Sequence, residues 1–359
     1  MGKLQKNLPL EKMLAIALLL VLAVVPLVTD LYTTQLTGKF MTYMMVALAL
    51  DLMWGYTGLM NLGFAVFFGL GGYTIGISLA SQNGIPAFMK SGGLETLPWF
   101  YAPLQNGVVA VALSILVPAL VALFLGYFIF TSKIKGVFFN LITLAFAALF
   151  EVFIKTYQTY TGGSSGVNGI ASGLNDVTFF GQKMGITSWY YVIFISLLGV
   201  YMLLVWLTEG RFGKVIKSVR DNEARLQFLG YNPAIFKLAT FAISGGIAGF
   251  AGALYIPMTS FISIEKAGIT FSTTILVYLA VGGRGNLVGA MFGALIVNIL
   301  QSNLSSILGD TWTIVIGVIL ILIVMLLPQG IIGTIIDYRY NKNTTKKMEL
   351  LKSSEAEVV

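Results

Sequence analysis

The composition of this 359-residue chain excludes a soluble domain: hydrophobic residues make up 57% of it, charged residues only 10%, and the mean hydropathy is +0.86. Soluble domains carry about 25% charged residues, so we predict an all-α, multi-pass transmembrane bundle. The chain has no cysteine and no histidine, which excludes thiolate nucleophiles, imidazole metal ligands and Ser-His-Asp catalysis. We expect no cofactor or metal, and no nucleic-acid binding, since the basic residues that give the net charge of +7 lie in loops between apolar segments.

Ten apolar segments qualify as membrane spans. The lipid core takes about 20 apolar residues per helix, and shorter helices are tolerated inside a bundle. In chain order the predicted spans are residues 13–29, 40–54, 58–80, 107–131, 137–155, 189–207, 236–257, 271–282, 287–304 and 312–328. Because the eighth is short, a bundle of nine spans stays open beside the main prediction of ten.

The distribution of basic residues predicts the orientation. With the N-terminus inside, 17 of the 22 Lys and Arg residues lie on the cytoplasmic side and 5 lie outside, as the positive-inside rule requires. Ten spans then place both termini in the cytosol. We predict one membrane domain over residues 1–340 and a polar, disordered cytoplasmic tail over residues 341–359.

Glycines and aromatic residues are concentrated in residues 55–73, GYTGLMNLGFAVFFGLGGY. Two interpretations stay open: close packing of helices, or a broken helix that lines a pathway through the membrane. Two other glycine-rich stretches, 161–169 and 281–285, lack the Gly-Lys-Ser/Thr ending of a phosphate-binding loop, so we expect turns there rather than nucleotide sites.

Few polar side chains interrupt the predicted spans. Asp51 and Glu151 lie near span ends and are interpreted as charges at the membrane interface. Deeper polar groups are uncharged and suit hydrogen bonds to a neutral polar substrate. We predict a substrate pathway formed by six residues: Asn61, Phe67, Gly71, Tyr73, Asn140 and Thr143.

The one long charged passage is the cytoplasmic segment 208–237. Read as a helix, it places an apolar stripe that includes Ile216, Val219 and Leu226 against a row of basic residues. Such a basic amphipathic element rests on lipid or docks another protein. A solvated loop is the alternative.

Along nearly its whole length the chain resembles the membrane permeases of ABC importers for branched-chain amino acids and urea. The matching pieces include LDLMWGYTGLMNLGFAVFFGLGGY at 50–73, TGGSSGVNGI at 161–170 and LPQGIIG at 327–333. Three stretches are more similar to the urea-type subunit: PAFM and LPWF within 86–100, DNEARLQFLGY at 221–231 and YLAVGGRGNLVGAMFGALIVN at 278–298. The resemblance therefore implies a urea importer permease; a branched-chain amino acid importer permease and an ATP-independent urea channel are the alternatives.

The resemblance also implies location and partners. It places the chain in the bacterial cytoplasmic membrane, as half of a pathway completed by a second homologous permease. Cytoplasmic ABC ATPase subunits would hydrolyse ATP, and an extracytoplasmic binding protein would deliver substrate to the predicted outer loops 81–106 and 156–188.

Within the charged segment, Glu223-Ala224 followed by Gly230 is similar to the Glu-Ala-Ala…Gly signature of importer permeases, except that Arg225 takes the third position and the glycine comes one residue late. The resemblance implies ATPase contact by eight residues: Arg220, Asp221, Glu223, Ala224, Arg225, Gly230 and, as the apolar anchor, Phe228 and Leu229.

Overall fold

The computed structural model describes residues 8–82, 84–168, 178–179, 182–183, 185–308, 317–318, 330–331 and 333–334. Its helices are α1 (Leu8–Val28), α2 (Leu31–Asp51), α3 (Ala65–Ala80), α4 (Ala87–Ser91), α5 (Gly107–Thr131), α6 (Val137–Thr156), α7 (Gln158–Thr161), α8 (Ile186–Glu209), α9 (Arg211–Asp221), α10 (Glu223–Phe228), α11 (Pro233–Thr259), α12 (Ile269–Gly282) and α13 (Leu287–Leu308). Strands β1 (Thr178–Phe179) and β2 (Gln182–Lys183) form one short antiparallel pair.

The helices confirm the predicted all-α bundle. Within the described residues, seven are long and apolar enough to cross a membrane, and two shorter apolar helices, α3 and α12, lie among them. These nine helices correspond to the first nine predicted spans. The predicted tenth span, 312–328, falls outside the described residues except for 317–318, as does the predicted tail 341–359.

The core of the bundle is formed by α2, α3 and α11. Nearly every residue of α2 from Phe40 to Asp51 is buried. Helix α3 approaches α11 closely because glycines face each other, with Gly71 against Gly249 and Gly72 against Gly252. Small residues let helix backbones approach each other where lipid offers no hydrophobic driving force. The outer helices α1 and α5 expose apolar side chains, as surfaces in contact with lipid do.

A break separates α2 from α3. Helix α2 passes into a π-helical turn, Leu52–Tyr56, and an irregular segment follows until α3 begins at Ala65. The helix of the predicted span 58–80 therefore begins seven residues later than predicted. Gly58 takes a positive φ of 81°, which does not fit a helix. The glycine-rich stretch is thus broken in its first half and closely packed in its second half, and a role in lining a pathway stays a prediction.

A second break lies between α11 and α12. The chain turns back at Ser260, pairs briefly with Val167 through Ile262, and forms a 3₁₀ turn, Ile264–Ala267, before α12 begins. This 3₁₀ turn lies inside the bundle, because Ala267 contacts Gly69 on α3. The interrupted helices α3 and α12 are thus neighbours, and the backbone N–H of Ala65 donates to Oγ of Ser272 at 3.0 Å.

Candidate coupling surface and substrate pathway

The charged segment forms two helices rather than the single helix of the sequence interpretation. Helix α9 ends at Asp221, Asn222 adopts an extended conformation, and α10 begins at Glu223. The Asn222 side chain accepts a hydrogen bond from the backbone N–H of Arg225 at 3.0 Å, which is the usual action of asparagine at a helix N-cap. Asn222 thus marks the point at which α9 ends and α10 begins.

The two helices present a buried face and an exposed face. Ile216, Val219 and Leu226 are buried against the bundle. On the opposite side Phe228 is 91% exposed and Leu229 is 70% exposed. Two large apolar side chains together at the end of a charged helix form a small surface suited to contact with another protein.

Glu223 ties α10 to the membrane domain. Its carboxylate lies 2.9 Å from Nζ of Lys135, in the α5–α6 loop, and 2.9 Å from Nζ of Lys237, at the start of α11. Partial burial raises the pKa of Glu223, but hydrogen bonds from both lysines and their charges outweigh that effect and leave the pKa below its usual value. Because the Lys237 side chain is only 8% exposed, the ion pair between Lys237 and Glu223 is shielded from water.

Arg220 ties α9 to the break that follows α2. Its Nη1 donates a hydrogen bond of 2.6 Å to the carbonyl oxygen of Gly55, and its Nε lies 3.2 Å from the Asp221 carboxylate. Gly55 belongs to the π-helical turn, and the methylene stem of Arg220 also packs beside Gly58. The charged segment is thus bonded to the irregular stretch of the transmembrane core.

Asp51 is not the interfacial charge that its position in the sequence suggests. It is fully buried, and its Oδ1 accepts a hydrogen bond of 2.6 Å from the backbone N–H of Gly285. The charge of Arg220 also acts on it. Asp51 lies at the end of a span and still avoids water because the turn 283–286 folds over it and supplies a hydrogen bond to Oδ1. Its Oδ2 has no hydrogen-bond partner among the described residues.

Sequence reasoning therefore missed three residues of this cluster: Asp51, Gly55 and Gly285. A Cβ atom at Gly55 would overlap both the Asp51 carboxylate and the backbone nitrogen of Gly285, so only glycine fits. The turn at 283–286, interpreted from its sequence as a surface turn, packs against α2 and the π-helical turn. In the sequence, the available signal for this cluster was Asp51 followed four residues later by Gly55, and this signal is weak.

Three of the predicted pathway residues meet at the first break. The Asn61 side chain accepts from the backbone N–H of Gly63 at 2.8 Å, and Oγ1 of Thr143 accepts from that of Leu62 at 3.3 Å. Thr143 in turn donates to the carbonyl of Asn140 at 3.0 Å. Thr143 thus holds the irregular segment against α6, whereas the Asn61 hydrogen bond lies within that segment. Contact of the three residues with a substrate stays a prediction.

The other three predicted pathway residues lie on α3. Phe67 packs edge-on against Phe241, with ring centroids 5.4 Å apart, and Gly71 lies at the α3–α11 crossing. Tyr73 is buried, and its hydroxyl has no hydrogen-bond partner among the described residues. Tyr73 is therefore the member of this trio with an unused polar group, and all three remain predicted as pathway residues.

The remaining predicted coupling residues are solvent-exposed. Asp221 is half exposed beside Arg220. The others lie on α10 and the turn after it: Ala224, Arg225 and Gly230. Gly230 has a positive φ of 83° and ends α10 with open space around it. Contact with an ATPase remains a prediction for all eight residues.

The described parts of the two predicted outer loops pack on each other. The Tyr101 hydroxyl donates to the carbonyl of Tyr160 at 3.1 Å, and Gly92 lies against Thr159. Trp99 beside them is 85% exposed. Together they form one surface at this end of the bundle.

Among the described residues, no group of three or more metal-binding side chains comes together at either end.

The sequence is similar to known transport proteins. A profile of the family described as "Branched-chain amino acid transport system / permease component" matches residues 32–324. The high-affinity branched-chain amino acid transport system permease protein LivM of Escherichia coli is 24% identical over 344 residues, covering 90% of this chain and 75% of LivM.

Two further relatives cover most of both chains. The probable branched-chain amino acid transport permease protein LivM of Methanocaldococcus jannaschii is 28% identical, over 82% of this chain and 91% of its own length. The E. coli permease protein LivH is 25% identical over 81% and 91%. No solved structure matches the chain with significant similarity. The chain belongs to the permease family of branched-chain amino acid transport systems, and it is a multi-pass membrane protein.

Proposed function

We propose that this chain is a permease subunit of an ATP-driven importer for branched-chain amino acids, rather than for urea. The family profile and the three relatives, all of them named for branched-chain amino acid transport, favour this substrate over the urea importer that the sequence motifs suggested. The motifs used for urea, at 86–100, 221–231 and 278–298, lie in an outer loop, in the charged segment, and in α12, α13 and the turn between them. None of them contains a predicted pathway residue.

The observation that carries the transport role is the anchoring of α9 and α10. Two ion pairs at Glu223 and the hydrogen bond from Arg220 to Gly55 fix these helices to the transmembrane core. At the same time Phe228 and Leu229 are exposed. A surface helix that moves freely relative to the core transmits little force to the core. A surface helix bonded to the core moves the core residues that it contacts. This arrangement suits a part that receives motion from an ATPase.

The connection runs to the broken part of the bundle. Movement of α9 pulls on Gly55 and therefore on the irregular segment that leads into α3. Thr143 attaches the same segment to α6 through a hydrogen bond from Leu62, and Asn61 closes a turn within the segment; such hydrogen bonds exchange partners at low cost. The segment between Thr57 and Phe64 is thus the element whose two arrangements would open the pathway to one side or the other.

Partners follow from the same proposal. Separate ATPase subunits bind the coupling surface, and a second permease completes the pathway. A substrate-binding protein delivers the amino acid to the surface made by α4, α7 and the 3₁₀ turn Trp99–Gln105. ATP hydrolysis takes place on the partner subunits, and this chain performs no chemical step.

Uptake in cells lacking this chain tests the proposal. Wild-type chain should restore uptake of labelled leucine, unlabelled isoleucine should compete with it, and excess urea should leave it unchanged. Labelled urea uptake should not depend on the chain. A urea flux that the chain restores, with no leucine flux, would overturn the amino acid proposal. A urea flux that persists when the ATPase partners are removed would favour a channel.

A further inference from the structure

An aromatic cluster lies in the core between α2, α3, α11 and α12. Its centre is Tyr43, whose ring centroid lies 5.2 to 6.3 Å from those of four neighbours: Phe68, Tyr255, Phe271 and Tyr278. All five rings are buried. Packing of such rings needs no charge nearby.

Two lysine ammonium groups nevertheless face this cluster. Nζ of Lys39 lies 5.9 Å from the ring centroid of Tyr43. Nζ of Lys266 lies 5.5 Å from the same centroid and 4.9 Å from that of Phe271. A cation over an aromatic ring gains less free energy than an ion loses when it leaves water. The rings compensate only part of the cost.

The local charge is not neutralised by carboxylates. Among the described residues neither lysine forms a salt bridge, and the nearby Glu151 is held by Lys155 at 2.7 Å. Burial lowers the pKa of Lys266 to about 8, repulsion from Lys39 acts in the same direction, and the exposed Glu265 opposes them only in part. The two cations are therefore close enough to repel each other.

The structure holds this arrangement in place. Val167 exchanges two backbone hydrogen bonds with Ile262, of 3.0 and 3.3 Å, just before the 3₁₀ turn that carries Lys266. Gly166 permits that contact, since a Cβ there would overlap the Ile262 carbonyl. Gly166 and Val167, in the glycine-rich stretch expected to be a turn, thus hold the chain just before the turn that carries Lys266. Both lysines keep part of their surface exposed, so a ligand can reach them.

We infer that Lys39 and Lys266 bind the carboxylate of the transported amino acid at the edge of the aromatic cluster. This inference rests on the proposed function and specifies its substrate contact. An amino acid carboxylate supplies the negative charge that the two ammonium groups lack. Urea has no carboxylate, so this site gives a physical reason for preferring an amino acid.

A lipid headgroup phosphate is the other source of negative charge. The rings that the two ammonium groups face are buried inside the bundle, with Tyr43 only 2% exposed, rather than on the surface in contact with lipid. Lysines that extend toward lipid headgroups place their charge at the outside of a span. We therefore assign the two lysines to the substrate carboxylate rather than to a lipid phosphate.

Leucine uptake by lysine variants is the first test. In cells lacking the chain, Lys39→Gln and Lys266→Gln should each lower uptake by about tenfold, equivalent to about 1.4 kcal/mol. Lys39→Arg and Lys266→Arg should restore part of it. Lys12→Gln removes an exposed lysine of α1 and should change nothing. Equal amounts of assembled transporter in every strain exclude a purely structural effect. Full uptake in the Lys39→Gln/Lys266→Gln double variant would overturn the inference.

Chemical labelling identifies the group that the lysines bind. The purified transporter, with its permease and ATPase partners, is treated with an amine-reactive reagent, and modification of Lys266 is measured by mass spectrometry. Leucine should protect Lys266, and leucinol, which lacks the carboxylate, should not. Equal protection by both, or protection by anionic lipid alone, would overturn the inference. A wild-type chain that carries urea and no leucine would instead refute the proposed function.

Discussion

The two ends of the bundle differ in how their charges are neutralised. At the end that carries α9 and α10, Glu223 has two lysine partners, Arg220 has a carbonyl and a carboxylate, and Asp51 has a backbone N–H. At the other end Lys39 and Lys266 share aromatic faces and form no salt bridge with a carboxylate among the described residues. Charges with direct partners hold parts of the chain together, whereas charges without a salt-bridge partner are free to bind a ligand.

The largest expected effect comes from reversing a paired charge. Glu223→Lys would place three cations together at the base of α10, which should detach it from α11 and lower leucine uptake by about tenfold or more. Initial uptake rates in cells lacking the wild-type chain measure this. Glu209→Lys is the matched control, because Glu209 is exposed at the end of α8 and forms no salt bridge in the described part of the chain. Equal uptake in both variants would contradict the paired role.

A second variant tests the link between α9 and the first break. Gly55→Ala would force apart the Asp51 carboxylate and the backbone of Gly285, so uptake should fall several-fold while the protein still inserts. Gly199→Ala on α8 is the control, because nothing lies within 4 Å of a Cβ there. Both variants should be compared by uptake and by thermal melting. A Gly55→Ala transporter with wild-type rate would remove the Arg220–Gly55 connection from the mechanism.

A third prediction concerns pH at the unpaired end. The charged groups around Lys266 are Lys39 on α2, the adjacent Glu265 and, on α6, Glu151, which Lys155 holds. A lysine attracts a carboxylate only while protonated, that is, below its pKa of about 8. Protection of Lys266 by leucine should therefore be present at pH 7 and weaken as the pH rises through 8. Protection that is constant up to pH 9 would exclude Lys266 as the ligand.

The smallest expected effect is a pH dependence of stability. The pKa of Glu223 is lowered from its ordinary value of 4.5, so its ion pairs stabilise the folded chain above that value and are lost as the pH falls through the lower, folded-state pKa. The melting temperature of Glu223→Gln should lie a few degrees below wild type at pH 6 and pH 5. The gap should close only in more acidic buffer. A gap that closes between pH 6 and pH 5 would contradict the lowered pKa.

The sequence predicted the helices better than the breaks between them. Nine predicted spans correspond to helices, because hydropathy over a whole segment reports transfer into lipid. The late start of α3 depends on a positive φ at Gly58 and on a turn closed by the Asn61 side chain, neither of which changes the hydropathy. The end of α9 depends on one asparagine at position 222.

Charges inside the bundle were the least predictable feature. Asp51 lies near a span end, and sequence position alone cannot distinguish a charge in water from one covered by a distant turn at Gly285. Lys39 and Lys266 are 227 positions apart and meet only because the chain turns back after α11. By contrast Glu223, Phe228 and Leu229 could be selected from a resemblance to importer permeases, since their segment is short and local.

Reconstitution in proteoliposomes tests the central claim most directly. The chain is combined with its permease partner, the ATPases and a leucine-loaded binding protein, and labelled leucine in the lumen is measured with and without ATP. We expect accumulation that requires ATP and that is lost in Phe228→Ala/Leu229→Ala but kept in Gln227→Ala, an exposed polar neighbour. Accumulation without ATP, or full accumulation in the double variant, would contradict coupling through this surface.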